Sequence, residues 1–458
     1  MTATRTAQPM SALETAFVAL DSRDVAFAHA SILGFDRPIA LAALRTLVDA
    51  ALAGVPRYHQ RIARRWLRTA AWVDDDDYRI DRHVHAATVA APGGAHELDD
   101  LAGHLVATEL PAGHPPWRLW TVAGLAGDRG AVIAVFHHAL IDGIAGFRLL
   151  EYVFHAGAAA PSAAPSAAPP DARHPLRRLL TWKTVTAAAR LLRDGVRPAA
   201  QIGLNPRRTS AARSVASHSV ALAEMTAIGR TLGATNNDVV LAIVTGALRR
   251  MLARRGVDPG ELRDVRAAVP VGRHAPGDRD PAGNRVVLLL ARLPIDEADP
   301  VRCVHRVGAT MRALKGGHTV SGGDLMVALS ELTTPALLIG TLRLSLRMRA
   351  FNLIVTNVPG PPVPLSLPAP IGARLTRLVP IVNLWPGQAL GIAAASYAGT
   401  MTFGIHADRE VIHDAGQLRD DLAAAFDALR DAAARKPGAP ARPPDGAPQV
   451  RAMHRQGT

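Results

Sequence analysis

A segment that cannot contribute to a hydrophobic core sets the organisation of this chain. Residues 156–170 are almost entirely alanine and proline, with one glycine and two serines. Such a composition is typical of a flexible or polyproline-like connector. The chain has 458 residues, which is more than one hydrophobic core usually supports. The sequence therefore predicts two folded parts that this segment joins.

The connector continues as a basic stretch in which leucines recur at helical spacing. The end of the chain is rich in proline and arginine and resembles a disordered tail. The predicted divisions are an N-terminal domain at 1–155, the connector at 156–216, a C-terminal domain at 217–434 and the tail at 435–458.

Strand-like and helix-like patterns alternate in both folded parts. Residues 131–136 and 286–290 are near-continuous apolar runs, as in buried strands. Residues 235–252 and 417–432 carry apolar side chains at helical spacing, and asparagine and aspartate residues are expected to cap the first of these helices. The patterns predict a mixed α/β fold.

Charge and cysteine content narrow the classes of function. The formal charge is +13, which favours phosphate-bearing partners, but the spacings of helix-turn-helix, zinc-finger and single-strand-binding proteins are missing. We therefore expect no nucleic-acid partner. Cys303 is the single cysteine, which excludes an internal disulfide and fits a reducing, cytoplasmic setting. The sequence shows neither a signal peptide nor an apolar run long enough to span a membrane.

The apolar run at 131–136 ends in His137 and His138, and Asp142 and Gly143 follow shortly after. A histidine in a water-poor cleft can remove a proton from an attacking hydroxyl group. Asp142 is placed to hold the turn or a ring nitrogen, and Gly143 tolerates backbone angles that other residues avoid. These residues predict a general-base site, with a histidine pair that stabilises a tight turn as the alternative.

The segment His137-His138-Ala139-Leu140-Ile141-Asp142-Gly143 resembles the HHxxxDG motif of the chloramphenicol acetyltransferase and condensation-domain superfamily. Further segments resemble the bacterial wax ester synthase/diacylglycerol acyltransferase family in order and spacing. They lie at residues 10–17, 116–120, 233–241, 283–285, 351–361 and 386–392. The resemblance spans about residues 10–432. The chain departs from the family at Pro115-Pro116-Trp117, where a proline-leucine-tryptophan order is expected, and this departure bears on the choice of substrate.

The resemblance implies two chloramphenicol acetyltransferase-like α/β domains, each a mixed sheet flanked by helices, with the active site at their interface. It implies that His138 is the base, that His137 and Asp142 support it, and that Gly143 shapes the loop. Acyl-CoA would be the co-substrate, with no metal and no other cofactor. A diacylglycerol or long-chain alcohol would accept the acyl group without a covalent enzyme intermediate, giving triacylglycerol or wax ester.

Other motif residues have a structural interpretation beside the functional one. Trp117 either lines an apolar channel or packs in the core. Asn237 and Asp238 either serve the site or cap a helix. Asn284 and Asn357 are predicted to lie in turns.

The sequence disfavours several other functions. A serine hydrolase is disfavoured because the chain has no Gly-x-Ser-x-Gly motif. Cys303 fits a buried apolar position better than a nucleophile, and adjacent histidines are a poor metal-chelating pair. Two alternatives stay open: an acyltransferase of the same superfamily that acts on another hydroxyl or amine, and a lipid-binding or scaffold protein without turnover.

Residues 335–349 combine leucines with arginines and predict a helix that lies on an anionic membrane or a lipid droplet. The protein would then be cytoplasmic and peripheral at the inner face of the plasma membrane or on droplets. The alternative is that these leucines pack within the second domain.

Overall fold

The computed structural model describes residues 7–21, 27–64, 70–140, 153–154, 197–272, 286–316 and 335–435. Asp142, Gly143 and Asn284 lie outside the described residues, as do most of the connector and the tail beyond residue 435. The division into domains stays a prediction, and the first strand after the connector begins at Arg213, within the range given to the connector.

Three β-sheets form within the described parts of the chain. Their strands are β1 Gln8–Pro9, β2 Ala28–Phe35, β3 Gln60–Arg64, β4 Ala70–Asp74, β5 Val84–Thr88, β6 Trp117–Leu125, β7 Arg129–His137, β8 Arg213–Ala221, β9 Val265–Gly272, β10 Val286–Leu293, β11 Leu353–Pro359, β12 Leu375–Ile381, β13 Leu390–Tyr397 and β14 Thr400–Asp408. One sheet has the order β12-β2-β7-β6-β5, a second the order β10-β9-β11-β13-β14-β8, and a small third sheet the order β1-β4-β3.

Helices flank these sheets. They are α1 Ala12–Leu20, α2 Leu41–Leu52, α3 Ala95–Val106, α4 Leu222–Leu232, α5 Asn236–Arg254, α6 Pro300–Gly316, α7 Pro335–Arg347 and α8 Ala415–Ala434, with short 3-10 turns at Pro56–His59, Ile80–Arg82 and Pro259–Glu261. Helices α4, α5, α6 and α8 bury their apolar side chains against the six-stranded sheet in one continuous core. The predicted mixed α/β architecture is confirmed.

The strongest sequence patterns are confirmed as elements. The apolar runs at 131–136 and 286–290 are β7 and β10, and the two helical patterns are α5 and α8. The helix cap differs from the prediction, because Thr235 is the N-cap of α5. Its hydroxyl accepts the amide of Asp238 at 3.2 Å, and the Asp238 carboxylate accepts the amide of Thr235 at 2.9 Å.

The prediction that Asn357 lies in a turn is wrong. Asn357 is in β11, opposite Ala394 in a parallel ladder with β13. Pairing with β13 carries β11 through to Pro359, so this proline is the last residue of the strand and Gly360 follows it.

The five-stranded sheet takes strands from both parts of the sequence. Strand β12 lies after β11 in the chain, yet it pairs antiparallel with β2, with Leu378 opposite Leu33. At Gly404 of β14 a Cβ atom would lie 1.8 Å from the carbonyl oxygen of Pro380 in β12. The two large sheets therefore meet backbone to backbone here, and only glycine allows this approach.

A buried polar contact also links the two parts. The Ser217 hydroxyl donates to the Asp99 carboxylate at 2.8 Å, and the Arg377 guanidinium donates to the Ser217 oxygen at 2.7 Å. Burial raises the pKa of Asp99 to about 6, although its hydrogen bonds to Ser217 and the charge of Arg377 act in the opposite direction.

No helix among the described residues has the length and apolar character needed to cross a bilayer.

Candidate active site

The two histidines leave the end of β7 in different directions. His137 is the last residue of the strand and lies opposite Ala28 of β2. His138 follows the strand, and its amide donates to the carbonyl of Phe27 at 2.7 Å. Because side chains alternate along a strand, the two rings are carried to opposite faces of the sheet.

The ring of His138 lies in an aromatic environment. Its centroid is 4.7 Å from that of Phe17 on α1 and 5.8 Å from that of Phe27. Trp385 contacts Phe27 in turn, with ring centroids 5.0 Å apart. Nδ1 of His138 contacts Nδ1 of His29 at 3.3 Å, and Nε2 takes part in no hydrogen bond with another described residue. His138 thus presents one ring nitrogen that is available to a substrate.

His137 is buried and holds the loop that follows it. The amide of Ala139 donates to its Nδ1 at 3.1 Å, so in the neutral ring the proton is on Nε2. Nε2 lies 3.8 Å from a carboxylate oxygen of Asp21, and the other oxygen of Asp21 accepts the amide of Phe27 at 3.2 Å. Since both nitrogens of His137 serve these contacts, His137 is a loop-supporting residue in this arrangement.

Burial keeps the histidines of the site neutral. It lowers the pKa of His138 to about 4. Burial also lowers the pKa of His137 to about 3, with smaller effects from His138 and Arg64, and that of His29 to about 3, with smaller effects from His138 and His137. A neutral imidazole is the form that can accept a proton, so His138 is in its basic form at neutral pH.

A cavity of about 530 Å³ adjoins this loop at the junction of the two parts. Its lining includes Asp21, Arg64, Pro116 and His137 from the N-terminal part. From the C-terminal part it includes Ala211, Arg213, Leu384 and His406. The cavity lies at the junction of the two parts, where the resemblance places the active site, and it is lined by His137 and not by His138.

His406 gives this cavity a second buried imidazole. Its Nδ1 donates to the carbonyl of Val382 at 2.7 Å, so Nε2 carries a lone pair. Nε2 is buried and has no partner within the described chain. Burial, followed by the charge of Arg213, lowers the pKa of His406 to about 3. This nitrogen can accept a hydrogen bond from a bound ligand.

Three further predicted site residues, Trp117, Asn237 and Asp238, are not among the residues that contact the ring of His138. Trp117 is fully buried, stacks on His83 with centroids 4.4 Å apart and donates its indole N–H to the carbonyl of Tyr58 at 3.0 Å. It is a core residue. Asp238 belongs to the capping box of α5, and Asn237 follows in the first turn of the same helix. None of Trp117, Asn237 and Asp238 lines the cavity.

Sequence reasoning missed His29, Asp21 and His406. Each lies far from the histidine motif in sequence and is brought near it by sheet register or by the junction of the two parts. No local pattern marks such residues, although an isolated histidine within an apolar strand, as at His29, is a feature that a register prediction could have used.

Comparison with known proteins identifies the family of this chain. The family described as wax ester synthase/diacylglycerol acyltransferase catalytic domain matches residues 10–240, and the WS/DGAT C-terminal domain matches residues 282–430. A Mycobacterium tuberculosis protein named a probable diacylglycerol O-acyltransferase is 32% identical over 390 residues, which cover 79% of this chain and 82% of that protein.

Solved structures share the fold. The wax ester synthase/diacylglycerol acyltransferase from Marinobacter aquaeolei VT8 has a TM-score of 0.69 and 22% identity, covering 93% of this chain and 100% of that one. The first condensation domain of the CDA synthetase has a TM-score of 0.59 and 18% identity, covering 95% and 97%. With its two domain families in order along the sequence, this chain belongs to the wax ester synthase/diacylglycerol acyltransferase family.

Proposed function

We propose that this acyltransferase moves a fatty acyl group from acyl-CoA to the hydroxyl group of a diacylglycerol or a long-chain alcohol, with Nε2 of His138 as the general base. Family membership supports the reaction class. The observation that carries the assignment of the base is the half-buried, neutral ring of His138, whose contact with His29 is made by Nδ1 and not by Nε2.

The reaction proceeds by direct transfer. Nε2 of His138 takes the proton of the acceptor hydroxyl as its oxygen bonds to the thioester carbonyl carbon. The carbonyl oxygen becomes an oxyanion, which then collapses and breaks the carbon–sulfur bond. His138 returns the proton to the CoA thiolate, so the products are an ester and free CoA. The step needs no covalent enzyme intermediate, no metal and no cofactor besides the acyl-CoA co-substrate.

The low pKa of His138 keeps the free ring unprotonated but makes it a weaker base, so it favours the second proton transfer more than the first. At neutral pH the free ring is unprotonated and ready to accept a proton. Once protonated in a poorly hydrated site, the imidazolium is a strong acid, which favours its donation to the departing thiolate. The Asp142 carboxylate is proposed to steady the loop and Gly143 to shape it, while Asn284 keeps its predicted place in a turn.

The first prediction concerns the acceptor. Purified full-length chain is given labelled palmitoyl-CoA with dioleoylglycerol or hexadecanol in separate reactions, and labelled neutral lipid and free thiol are both measured. We expect labelled ester and an equal amount of free thiol with at least one acceptor, since each transfer releases one CoA.

The controls in this assay separate the alternatives. A reaction without acceptor measures hydrolysis. A different alcohol or an amine as the sole productive acceptor would favour another acyltransferase activity of this fold. Palmitoyl-CoA binding without release of thiol, with every acceptor, would contradict the proposal and favour a lipid-binding protein.

We also propose peripheral contact with an anionic lipid surface. The contact is made by fewer residues of the segment 335–349 than the sequence suggests. Helix α7 buries Ile339 and Leu342 in a cluster next to α1. The Arg343 guanidinium donates to the carbonyl of Ala19 at 2.8 Å. These side chains therefore hold α7 against the protein. Among the described large apolar residues of α1 and α7, Leu13 and Leu344 remain exposed, at 41% and 46%.

The second prediction tests this face by vesicle sedimentation. Changing Leu344→Asp together with Arg347→Glu should weaken binding to anionic vesicles at low salt by about fivefold or more, since each basic residue near such a surface contributes about 1 kcal/mol. The matched control is Val363→Asp, because Val363 is 60% exposed and lies outside α1 and α7. Equal binding by all three proteins, or binding that salt does not weaken, would contradict the proposal.

A further inference from the structure

The residue that contacts the proposed base is a third histidine. His29 lies on β2, opposite Phe136 of β7 in the antiparallel ladder. Phe136 and His138 are two residues apart, so their side chains and that of His29 lie on one face of the sheet. The register of two central strands thus fixes the position of His29 beside His138.

The contact between the two rings is a hydrogen bond. The Nδ1 atoms are 3.3 Å apart, and the rings meet edge to face with centroids 5.4 Å apart. In a bond between two neutral imidazoles, one Nδ1 carries the proton and the other supplies the lone pair. The ring that donates from Nδ1 keeps a bare lone pair on its own Nε2.

The direction of this bond decides whether His138 can act. With the proton on Nδ1 of His138, its Nε2 is free to take a proton from a substrate. With the proton on Nδ1 of His29, the neutral His138 carries its own proton on Nε2 and cannot serve as a base there. The hydrogen-bond partner of one ring nitrogen sets the state of the other.

We propose that His29 is a positioning residue whose Nδ1 accepts the Nδ1–H of His138 and so keeps Nε2 of His138 as the basic atom. This inference rests on the proposed function of His138. The aromatic rings of Phe17 and Phe27 also lie beside that of His138, and neither carries a lone pair that could accept its Nδ1–H. Asp21, the nearby carboxylate, faces His137 and the amide of Phe27.

The same bond serves the second half of the reaction. When His138 gains the substrate proton, its Nδ1–H becomes a charged donor, and a bond from a charged donor is stronger than a neutral one. His29 then stabilises the imidazolium while it also holds the ring in place. An amide oxygen at the position of Nδ1 would act in the same way, which distinguishes this role from filling space.

Two substitutions separate hydrogen bonding from packing. His29→Asn places an acceptor oxygen near the position of Nδ1, and His29→Leu keeps bulk but removes the acceptor. We expect His29→Leu to lower kcat by about 10- to 100-fold, as is typical when the partner of a functional histidine is lost, with little change in KM for palmitoyl-CoA. We expect His29→Asn to retain most of kcat. His85→Leu is the control, because His85 lies on β5 of the same sheet and bonds to the carbonyl of Arg82.

The kinetics can overturn the inference in two ways. Full kcat in His29→Leu would show that the bond is not needed. An equal loss in His29→Asn and His29→Leu, with both proteins folded by thermal unfolding and circular dichroism, would show that the ring matters for packing alone.

A direct measurement covers the case in which the variants fail to fold. Long-range ¹H–¹⁵N correlation spectra of wild-type protein labelled at histidine report which ring nitrogens carry protons, and comparison with His138→Ala identifies the signals of His138. We expect the proton on Nδ1 of His138. A proton on Nε2 would overturn the inference. Because this spectrum needs no turnover, it separates failure of the inference from absence of acyl transfer in the wild-type protein.

Discussion

His138→Ala is expected to lower the rate of acyl transfer by about 100- to 10,000-fold, the usual contribution of a positioned general base. The chain should stay folded, because the ring of His138 is partly accessible to solvent. The hydrogen bond from the backbone amide of residue 138 to the carbonyl of Phe27 is also kept in the variant. The measurement is the rate of thiol release and ester formation at saturating palmitoyl-CoA, with circular dichroism to check the fold. An active, folded His138→Ala protein would remove His138 from its role.

His137→Asn is the matched control for this experiment. An asparagine oxygen near the position of Nδ1 can still accept the amide of Ala139, so the loop keeps its bond. The rate should fall about tenfold or less, the scale of one perturbed hydrogen bond. His137→Ala removes the acceptor, and part of its effect should appear as lower stability. If His137→Asn proved as damaging as His138→Ala in a folded protein, the base would have to be reassigned.

The pH dependence of kcat/KM adds an independent check on His138. Its pKa in the folded protein is about 4, well below the ordinary value for histidine. The wild-type enzyme should therefore keep its kcat/KM as the pH falls from 8 to 6 while it remains folded. A decline centred near pH 6.5 would indicate a base with an unperturbed pKa.

The histidine motif was predictable because its chemistry and its strand are local in sequence. The apolar run at 131–136 is typical of a buried strand, and β7 spans these residues. Helix α5 was likewise visible from its apolar spacing, although the capping residue proved to be Thr235. Features that depend on one element and its neighbours in sequence are the ones that patterns capture.

The support of the site was not predictable, because it depends on pairings between distant residues. His29 reaches His138 only through the register of β2 with β7, across more than a hundred residues of chain. Strand β12 joins the N-terminal sheet from the C-terminal part, and no local signal marks that crossing. Trp117, which the sequence left between channel and core, lies in the core because its indole N–H finds a buried carbonyl.

The buried histidines also predict how the whole fold responds to acid. Burial lowers the pKa values of five of them to about 3 or 4: His29, His83, His137, His138 and His406. In the unfolded chain histidine titrates near 6.5, so below that pH the unfolded state binds more protons than the folded state. Their contribution to stability is complete above pH 6.5 and is lost as the pH falls toward 4.

We therefore expect the unfolding free energy, from urea titrations followed by circular dichroism, to fall steeply between pH 6.5 and 5. A group of this kind costs up to about 1.4 kcal/mol for each pH unit below its unfolded pKa, so several together can remove a large share of the stability of a domain. Asp99 opposes this loss, because its raised pKa of about 6 lets the folded state take up a proton in the same range.

Asp99→Asn tests the assignment of this acid sensitivity. The substitution removes a group whose proton uptake favours the folded state as the pH falls below about 6, so the variant should lose stability more steeply than the wild type over that range. An asparagine oxygen can still accept the hydroxyl of Ser217, which keeps the link between the two parts. A stability that stays level from pH 7 to 5 in the wild type would mean that the buried histidines are protonated without unfolding. Their low pKa values, and with them the neutral state of the site on which the mechanism depends, would then be wrong.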